Sequence, residues 1–218
     1  MFTQNTKSSH LRLVPTAMLV PPDLISVVTF GDTAILELPL TGIHEHRVIR
    51  ALDNITDAKL RGQTNITDAL ILGAQQLAHV KANVFKRILL IGDGEANVRA
   101  DVLTATVALM PKARIRLDCI SAGSKTATAA LGKLAAMTVK GICQEAHSAT
   151  ALANLILAQV PAKAMHRVQG ATVLCIDCSS SMLEEMKDGV CRIDACRLAA
   201  HAFVAKHRHL FGHQVGSV

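Results

Sequence analysis

Aromatic side chains are scarce in this sequence. They make up 2% of its 218 residues, and Trp and Tyr do not occur. Half of the residues are nevertheless hydrophobic, so a buried core must be built from Ala, Leu, Ile and Val. Such side chains suit helices packed in layers against a sheet. The chain is long enough for one domain with a substantial core, but two full domains would be cramped.

The same scarcity argues against nucleic acid as a ligand. The formal charge is +6 at pH 7, but Lys and Arg are scattered and there are no aromatic platforms on which bases stack. No apolar run approaches the roughly 20 residues that span a bilayer, and residues 1–22 do not resemble a secretory leader. We expect a cytoplasmic protein that binds neither nucleic acid nor membrane, with an extension over residues 1–22 and a single domain over residues 23–218.

Cysteine and histidine are present, but not in patterns that hold zinc. Without a secretory leader, the six cysteines are expected to be buried thiols rather than disulfides. Cys175 and Cys178 form a C-x-x-C, yet the second pair of a structural zinc site is missing. Four histidines near the end of the chain also fit no zinc spacing, and they are expected to form a solvated basic face: His201, His207, His209 and His213.

Short apolar runs alternate with amphipathic stretches along the chain. The runs predict strands over residues 24–30, 87–91, 115–120 and 172–176, with shorter ones at 35–38 and 141–144. Helical spacing predicts helices over residues 68–80, 101–110, 128–137, 148–159 and 192–207. The alternation predicts an α/β fold: a three-layer, doubly wound, mostly parallel sheet with helices on both faces and an antiparallel strand at 35–38.

Acidic residues follow two of the predicted strands. The strand at 172–176 runs into Asp177, and the strand at 87–91 runs through Gly92 into Asp93. Ligands of open parallel sheets bind beyond the carboxyl ends of the strands, so the two carboxylates are expected to face one site. In the turn "CIDCSSSM", the hydroxyls of Ser179 and Ser181 are expected to point the same way and that of Ser180 elsewhere.

A third loop brings another hydroxyl towards this edge. The stretch "GQTNITDAL" places Thr64 just before a predicted helix, for which Thr67 is the better N-cap. Hydroxyl, carboxylate and water oxygens are what a hard divalent cation requires. The sequence therefore predicts a Mg²⁺ site, with Mn²⁺ or Ca²⁺ as alternatives, whose candidate ligands are Asp177, Ser179, Ser181, Thr64 and Asp93.

These motifs resemble those of the von Willebrand factor type A (VWA) domain. "DCSSS" matches the family's D-x-S-x-S signature, "GQTN" resembles its G-x-T-x loop, and "LLIGDGEAN" is similar to its T-D-G strand end, with Gly92 where the family prefers Thr. Other segments, "ISVVTFGDTA", "RIDACRLAAHAF" and "IRLDCISAG" among them, extend the resemblance over nearly all of residues 23–210. It implies a metal-ion-dependent adhesion site formed by the five residues above.

The order of the motifs departs from the family pattern. A usual VWA chain begins with the strand before D-x-S-x-S, which here starts at residue 172. The sequence is therefore interpreted as circularly permuted, with residues 160–171 linking the usual C- and N-termini. In a rival interpretation the chain is a piece of a tandem VWA array, because the tail "QVGSV" resembles "LISVV". Competition between these two segments leaves a monomer or a strand-exchanged dimer open.

The resemblance implies a binding module rather than an enzyme. In such domains serine and threonine hold Mg²⁺ directly or through water, aspartates act mainly through water, and one position stays open for a partner protein's Glu or Asp. Two alternatives remain: a Mg²⁺-dependent phosphoryl-handling enzyme, and a structural domain with a non-functional site. A serine hydrolase is disfavoured because the G-x-S-x-G elbow is absent, and a dinucleotide site because "GDGEAN" lacks the third glycine.

Overall fold

The computed structural model describes residues 23–56, 62–94, 100–123, 125–159 and 169–212, without the side chains of residues 100, 101 and 210–212. The predicted extension (residues 1–22), the tail "QVGSV" and most of the predicted linker lie outside these ranges. Gly170 and Ala171, the last two residues of that linker, belong instead to a strand. The division into an extension and one domain stays a prediction.

One sheet organises the described residues. It contains β1 (Leu24–Phe30), β2 (Ala34–Gly42), β3 (Phe85–Gly92), β4 (Ile115–Ser121), β5 (Cys143–Glu145) and β6 (Gly170–Asp177). The strand order is β2-β1-β6-β3-β4-β5. β2 runs antiparallel to β1, and all other neighbours are parallel. The mostly parallel sheet and its antiparallel edge strand are therefore confirmed.

Helices cover both faces of the sheet. They are α1 (His46–Asp53), α2 (Ile66–Ala78), α3 (Ala100–Leu109), α4 (Lys125–Ala136), α5 (Ala149–Ala158) and α6 (Arg192–Gly212). Apolar residues of α1, α5 and α6 form one core cluster with one face of the sheet. Those of α2, α3 and α4 form a second cluster with the other face. The predicted three-layer α/β architecture is confirmed. No helix in the described ranges is both long enough and apolar enough to cross a bilayer.

β6 lies in the middle of the sheet although it comes late in the chain. It pairs in register with β1 along one edge, where Ile176 lies opposite Thr29, and with β3 along the other, where Ile176 lies opposite Ile91. All eight of its residues are buried. A strand enclosed on both faces reads as a continuous apolar run rather than an alternating one, which is why the sequence revealed it clearly.

The apolar periodicity of the sequence does not predict helix α1. It is only eight residues long, and four of them are polar or charged; of the apolar ones, Val48, Ala51 and Leu52 are buried and Ile49 packs against the core. Four apolar residues within positions 48–52 define less than two turns of an apolar stripe, too little to distinguish a helix from a loop by periodicity.

The expectation of a solvated histidine face is wrong for His207. This side chain is buried, its ring lies 4.5 Å from that of Phe203, and its Nδ1 lies 3.0 Å from Asp23 Oδ2. The reason is helical geometry: His207 lies four residues after Phe203 and three after Val204, on the apolar face of α6. His209 is exposed, His201 lies 3.1 Å from Asp53, and His213 lies outside the described residues.

The N-cap of α2 is Asn65, not Thr67 as predicted. Asn65 Oδ1 accepts a hydrogen bond from the Asp68 N–H at 3.1 Å. Its Nδ2 donates to Asp32 O at 3.0 Å and to Asp68 Oδ2 at 2.7 Å. Thr67 is fully buried in the first turn of the helix. Asn65 can both accept and donate, so it caps the helix and holds the preceding loop together, which a threonine hydroxyl cannot do as fully.

We expect Asn65→Ala to lower the free energy of unfolding by about 2 kcal/mol, because it removes the cap and two further hydrogen bonds. Ser148→Ala is the matched control, since Ser148 caps α5 through one hydrogen bond to the Ala151 N–H, and its loss should cost about 1 kcal/mol. Urea denaturation of both variants measures the difference. Equal losses would show that the loop contacts of Asn65 contribute nothing.

Candidate metal centre

The turn after β6 begins with a buried carboxylate. Asp177, the last residue of β6, is 1% exposed. Its Oδ1 accepts a hydrogen bond from the Ser179 N–H at 2.8 Å. The Cys178 N–H donates to Phe30 O at 2.6 Å, which fastens the turn to the end of β1. The backbone therefore fixes the position of the Asp177 carboxyl group.

The serine hydroxyls are arranged as their alternation predicted. A short 3₁₀ turn, Ser180–Leu183, follows directly. Ser179 Oγ and Ser181 Oγ lie 3.1 Å apart, and Ser180 is exposed. Ser179 is 1% exposed. Two hydroxyl oxygens thus face one point beside Asp177, while the third faces solvent.

Asp93 joins this group from the neighbouring strand β3. The Ser181 hydroxyl donates to Asp93 Oδ1 at 3.0 Å, and Asp93 is buried. The preceding Gly92 makes the approach of the two strand ends close: a Cβ added there would lie 2.8 Å from Asp177 Oδ2 and 3.0 Å from Asp177 Cβ. A side chain at position 92 would therefore have to displace the Asp177 carboxylate.

Thr64 comes to the same edge on the loop before α2. The Asn65 N–H donates to Gly31 O at 2.8 Å, and the Ser180 N–H donates to Gly62 O at 3.3 Å. Thr64 is buried, and a Cβ added to Gly94 would lie 3.3 Å from Thr64 Oγ1. The loop thus packs against both the serine turn and the turn that carries Asp93. The structure brings all five predicted residues to one edge of the sheet.

The Asp177 carboxyl group is not electrostatically satisfied by its surroundings. Its Oδ2 is buried and has no hydrogen-bond partner among the described residues. Burial raises the pKa of Asp177 to about 7, and the negative charge of Asp93 adds to the increase, while the N–H and hydroxyl of Ser179 and, more weakly, the backbone N–H of Asp93 oppose it. A buried carboxylate in this condition is stabilised by a proton or by a cation.

Arg192 is a site residue that the sequence interpretation did not single out. It is the first residue of α6, and its Nη1 contacts Asp93 Oδ2. The same nitrogen donates to Ser181 O at 3.1 Å and lies 2.9 Å from Glu184 Oε2. A cation in the first turn of a helix opposes the helix dipole. In the sequence, this unfavourable position of Arg192 at the start of a predicted helix is the signal that indicates an acidic partner.

The donor set at this edge consists of oxygen atoms. Within the described ranges, no three His, Cys, Asp or Glu side chains form a group that would hold a metal by themselves. Two carboxylates and three hydroxyls meet here instead. Hard oxygen donors of this kind suit Mg²⁺, Mn²⁺ or Ca²⁺ rather than zinc or copper.

Residues 21–157 match the family model of the von Willebrand factor type A domain, which is more than half of the chain. The chain belongs to the VWA family. The match begins just before β1 and ends in α5, so Thr64 and Asp93 lie inside it while Asp177, Ser179 and Ser181 lie beyond it. The α/β sheet agrees with the VWA fold.

Other comparisons add little to the family assignment. Among solved structures, the chain is similar to the crystal structure of an uncharacterized membrane spanning protein from Vibrio fischeri. The identity is 26% over 61% of this chain and 72% of that chain, with a TM-score of 0.30, too low to support a structural argument. No curated protein matches the chain.

The raised pKa of Asp177 predicts how the metal-free VWA domain responds to pH. The folded carboxyl group keeps its proton up to about pH 7, against a reference pKa of 3.8. Between these values the folded state binds more protons than the unfolded state, so stability falls as the pH rises. In chelator, we expect Asp177→Asn to be more stable than the wild type at pH 8 by up to about 4 kcal/mol, and the difference to shrink towards pH 4.

Urea denaturation in chelator from pH 4 to pH 8 measures this difference. Asp194→Asn is the control, because Asp194 is a partly exposed carboxylate paired with Arg197 on α6. That substitution should change stability by less than about 1 kcal/mol at every pH. A stability difference for Asp177→Asn that is the same at pH 5 and pH 8 would contradict the assignment of the raised pKa.

Proposed function

We propose that this VWA domain is a Mg²⁺-dependent protein-binding module, in which the bound cation coordinates a Glu or Asp of a partner protein. The observation that carries the proposal is the buried Asp177 Oδ2, which lacks a hydrogen-bond partner in the described structure beside the hydroxyls of Ser179 and Ser181. Such an arrangement is costly for an empty polar pocket and favourable for a cation site.

The residues that would hold the cation are those predicted from the sequence. Ser179, Ser181 and Thr64 would supply hydroxyl oxygens, and Asp177 and Asp93 would act directly or through water, as the family resemblance implies. Mn²⁺ or Ca²⁺ could take the place of Mg²⁺, since all three accept oxygen donors.

The charge balance of the site favours an anionic partner. Two carboxylates face the site, and the guanidinium of Arg192 already contacts one of them. The protein therefore neutralises only part of a divalent charge. When bound, the cation supplies a partly uncompensated positive charge, which attracts an incoming carboxylate strongly in a poorly solvated site.

Binding is favoured over phosphoryl chemistry by what surrounds the acids. In the described structure, the hydrogen bonds and ion pairs of Asp177, Ser179 and Ser181 involve no Lys and no His. A phosphoryl-handling enzyme would need a general base or a phosphate-gripping cation beside them. Among the described residues, Arg192 is the cation in contact with the group, through Asp93 and the Ser181 carbonyl, and it is held there by carboxylates.

We expect Ser179→Ala to weaken Mg²⁺ binding by at least about 10-fold, because it removes a buried hydroxyl of the proposed ligand set. Ser180→Ala is the matched control, since this neighbouring hydroxyl is exposed, and its removal should leave the affinity unchanged. Isothermal titration with MgCl₂ measures both affinities.

Partner capture by the wild type should be lost in chelator and in Ser179→Ala, and a generic phosphoester should not be hydrolysed. Capture that persists in chelator would refute metal dependence.

We also propose that the chain is a circularly permuted VWA domain in which β6 and α6 are the usual first strand and first helix. Support comes from the central position of β6 between β1 and β3, and from the family match, which starts just before β1. The contact between His207, late in α6, and Asp23, just before β1, supports the proposal, because a short link would then join these two elements.

A rearranged chain tests the permutation. In it, residues 169–212 precede residues 23–159, with a short Gly/Ser linker between residues 212 and 23. We expect a monomer whose Mg²⁺ affinity equals that of the native chain, because every strand keeps its neighbours. A control rearrangement that opens the chain inside β6, between Leu174 and Cys175, should not fold. A rearranged chain that dimerises by strand exchange would favour the tandem-array interpretation.

A further inference from the structure

A cavity of about 470 Å³ lies at the opposite edge of the sheet from the candidate metal centre. It opens at the amino ends of β1, β3 and β6, where Asp23, Phe85 and Gly170 line it. Its volume is within the range of roughly 300 to 1,000 Å³ that is usual for sites of small organic ligands. Neither the VWA match nor the proposed metal site accounts for it.

Arg87 is the most buried cation in this cavity. It is 6% exposed, and its guanidinium donates to Gln159 O at 3.2 Å and to Thr172 Oγ1 at 3.4 Å. Its Cζ lies 5.6 Å from the centre of the Phe203 ring. The remaining nitrogen, Nε, is buried and has no hydrogen-bond partner in the described structure. No carboxylate contacts this guanidinium there.

Two more cations line the same cavity. Lys86 is only 8% exposed, and it forms no ion pair with any of the described residues. Arg114 is exposed and adopts a left-handed backbone conformation, with φ of 56°, which is unfavourable for a side chain larger than glycine. Arg114 thus lines the cavity from a backbone conformation that glycine would adopt without strain.

The acidic residue that lines the cavity does not balance these charges. Asp23 Oδ1 accepts a hydrogen bond from the Gly170 N–H at 2.8 Å, and Asp23 Oδ2 lies 3.0 Å from His207 Nδ1. Both carboxylate oxygens are therefore engaged. The negative charge of Asp118 also acts on Arg87, but Asp118 does not line the cavity and is itself paired with Arg116 at 2.8 Å. Three cations and one acid therefore leave the described lining with an excess of positive charge, which is costly in a partly buried space unless an anion offsets it.

We propose that this cavity binds a small organic anion, with its phosphate or carboxylate group near Arg87, Lys86 and Arg114 and its apolar part against Val84 and Phe85. Phe85 supports the apolar component, because it lines the cavity and is 45% exposed. The predicted ligand class is thus a phosphate monoester or a carboxylate with a short apolar group, rather than an inorganic ion.

Three probes of similar size test the ligand class: phenyl phosphate, benzoate and phenol. Each is titrated into the full chain by calorimetry in chelator and at low ionic strength, where screening of charges is weakest. We expect phenyl phosphate or benzoate to bind and phenol not to bind. The anion that binds with the higher affinity identifies the preferred head group. Inorganic phosphate should bind at least about 5-fold more weakly than phenyl phosphate if phosphate is the preferred group. Binding of phenol alone, or of none of the probes, would overturn the proposal.

Two substitutions localise the binding. Arg114→Gly removes a cation and relieves the left-handed backbone, so the variant should fold at least as stably as the wild type. Lys86→Gln removes a second cation. We expect each to weaken the anion by about 3- to 10-fold. Lys112→Gln is the matched control, since Lys112 is an exposed cation two residues from Arg114 that does not line the cavity. An equal loss of affinity in the control would show general charge attraction and would overturn the assignment.

This test is independent of the proposed metal function. Chelator removes any divalent ion from the carboxyl edge, so an anion cannot bind there through a metal. Ser179→Ala should leave phenyl phosphate or benzoate binding unchanged, whereas Arg114→Gly should leave Mg²⁺ binding unchanged. A loss of anion binding in Ser179→Ala would place the anion at the metal edge and contradict the cavity assignment.

Discussion

A strand that is buried on both faces and hydrogen-bonded along both edges can tolerate almost no change of position, and β6 is such a strand. Leu174 and Ile176 belong to one core cluster, and Val173 and Cys175 to the other. Since β1 and β3 pair only through β6, the sheet would fall into two parts without it. This packing also fixes the position of Asp177, because Asp177 is the last residue of the rigidly held strand β6.

A rigid strand end explains how a poorly satisfied carboxylate persists. The burial of Asp177 raises its pKa, and a mobile side chain in that condition would turn towards solvent. Here the Ser179 N–H holds Oδ1 while Gly92 allows β3 to approach from the other side. Arg192 pairs with Asp93 and so partly neutralises the negative charge next to Asp177. Packing stabilises the fold strongly enough to maintain an arrangement that is unfavourable without a cation.

Features with a periodic or local pattern could be predicted from the sequence, while features set by tertiary contacts could not. The strands and five helices follow apolar periodicity, and the acids and hydroxyls at the carboxyl edge follow the rule that parallel strands end together. The cap of α2 is a local bond from the Asp68 N–H to Asn65, but the further hydrogen bond from Asn65 to Asp32, 33 residues away in the chain, could not be predicted. The burial of His207 required Asp23, and the role of Arg192 required Asp93. Each of these three contacts joins polar residues that are distant in sequence.

The two edges of the sheet differ in charge, and β6 connects them. Carboxylates lie beyond its carboxyl end, and Arg87 contacts Thr172 near its amino end. A strand rises about 3.3 Å per residue, so the five steps from Thr172 to Asp177 separate the two groups by roughly 16 Å. At that distance, exposed charges are largely screened at physiological salt, but charges joined through a dry core are screened less. An anion at the cationic edge would therefore remove positive charge that faces Asp177 through the core. The electrostatic consequence has a definite sign: an anion that offsets the buried charge of Arg87 raises the energy of the ionised Asp177 carboxylate, and a cation bound to it is then stabilised relative to the metal-free carboxylate. The charge of Arg114 is exposed and screened by solvent, so this coupling does not depend on it.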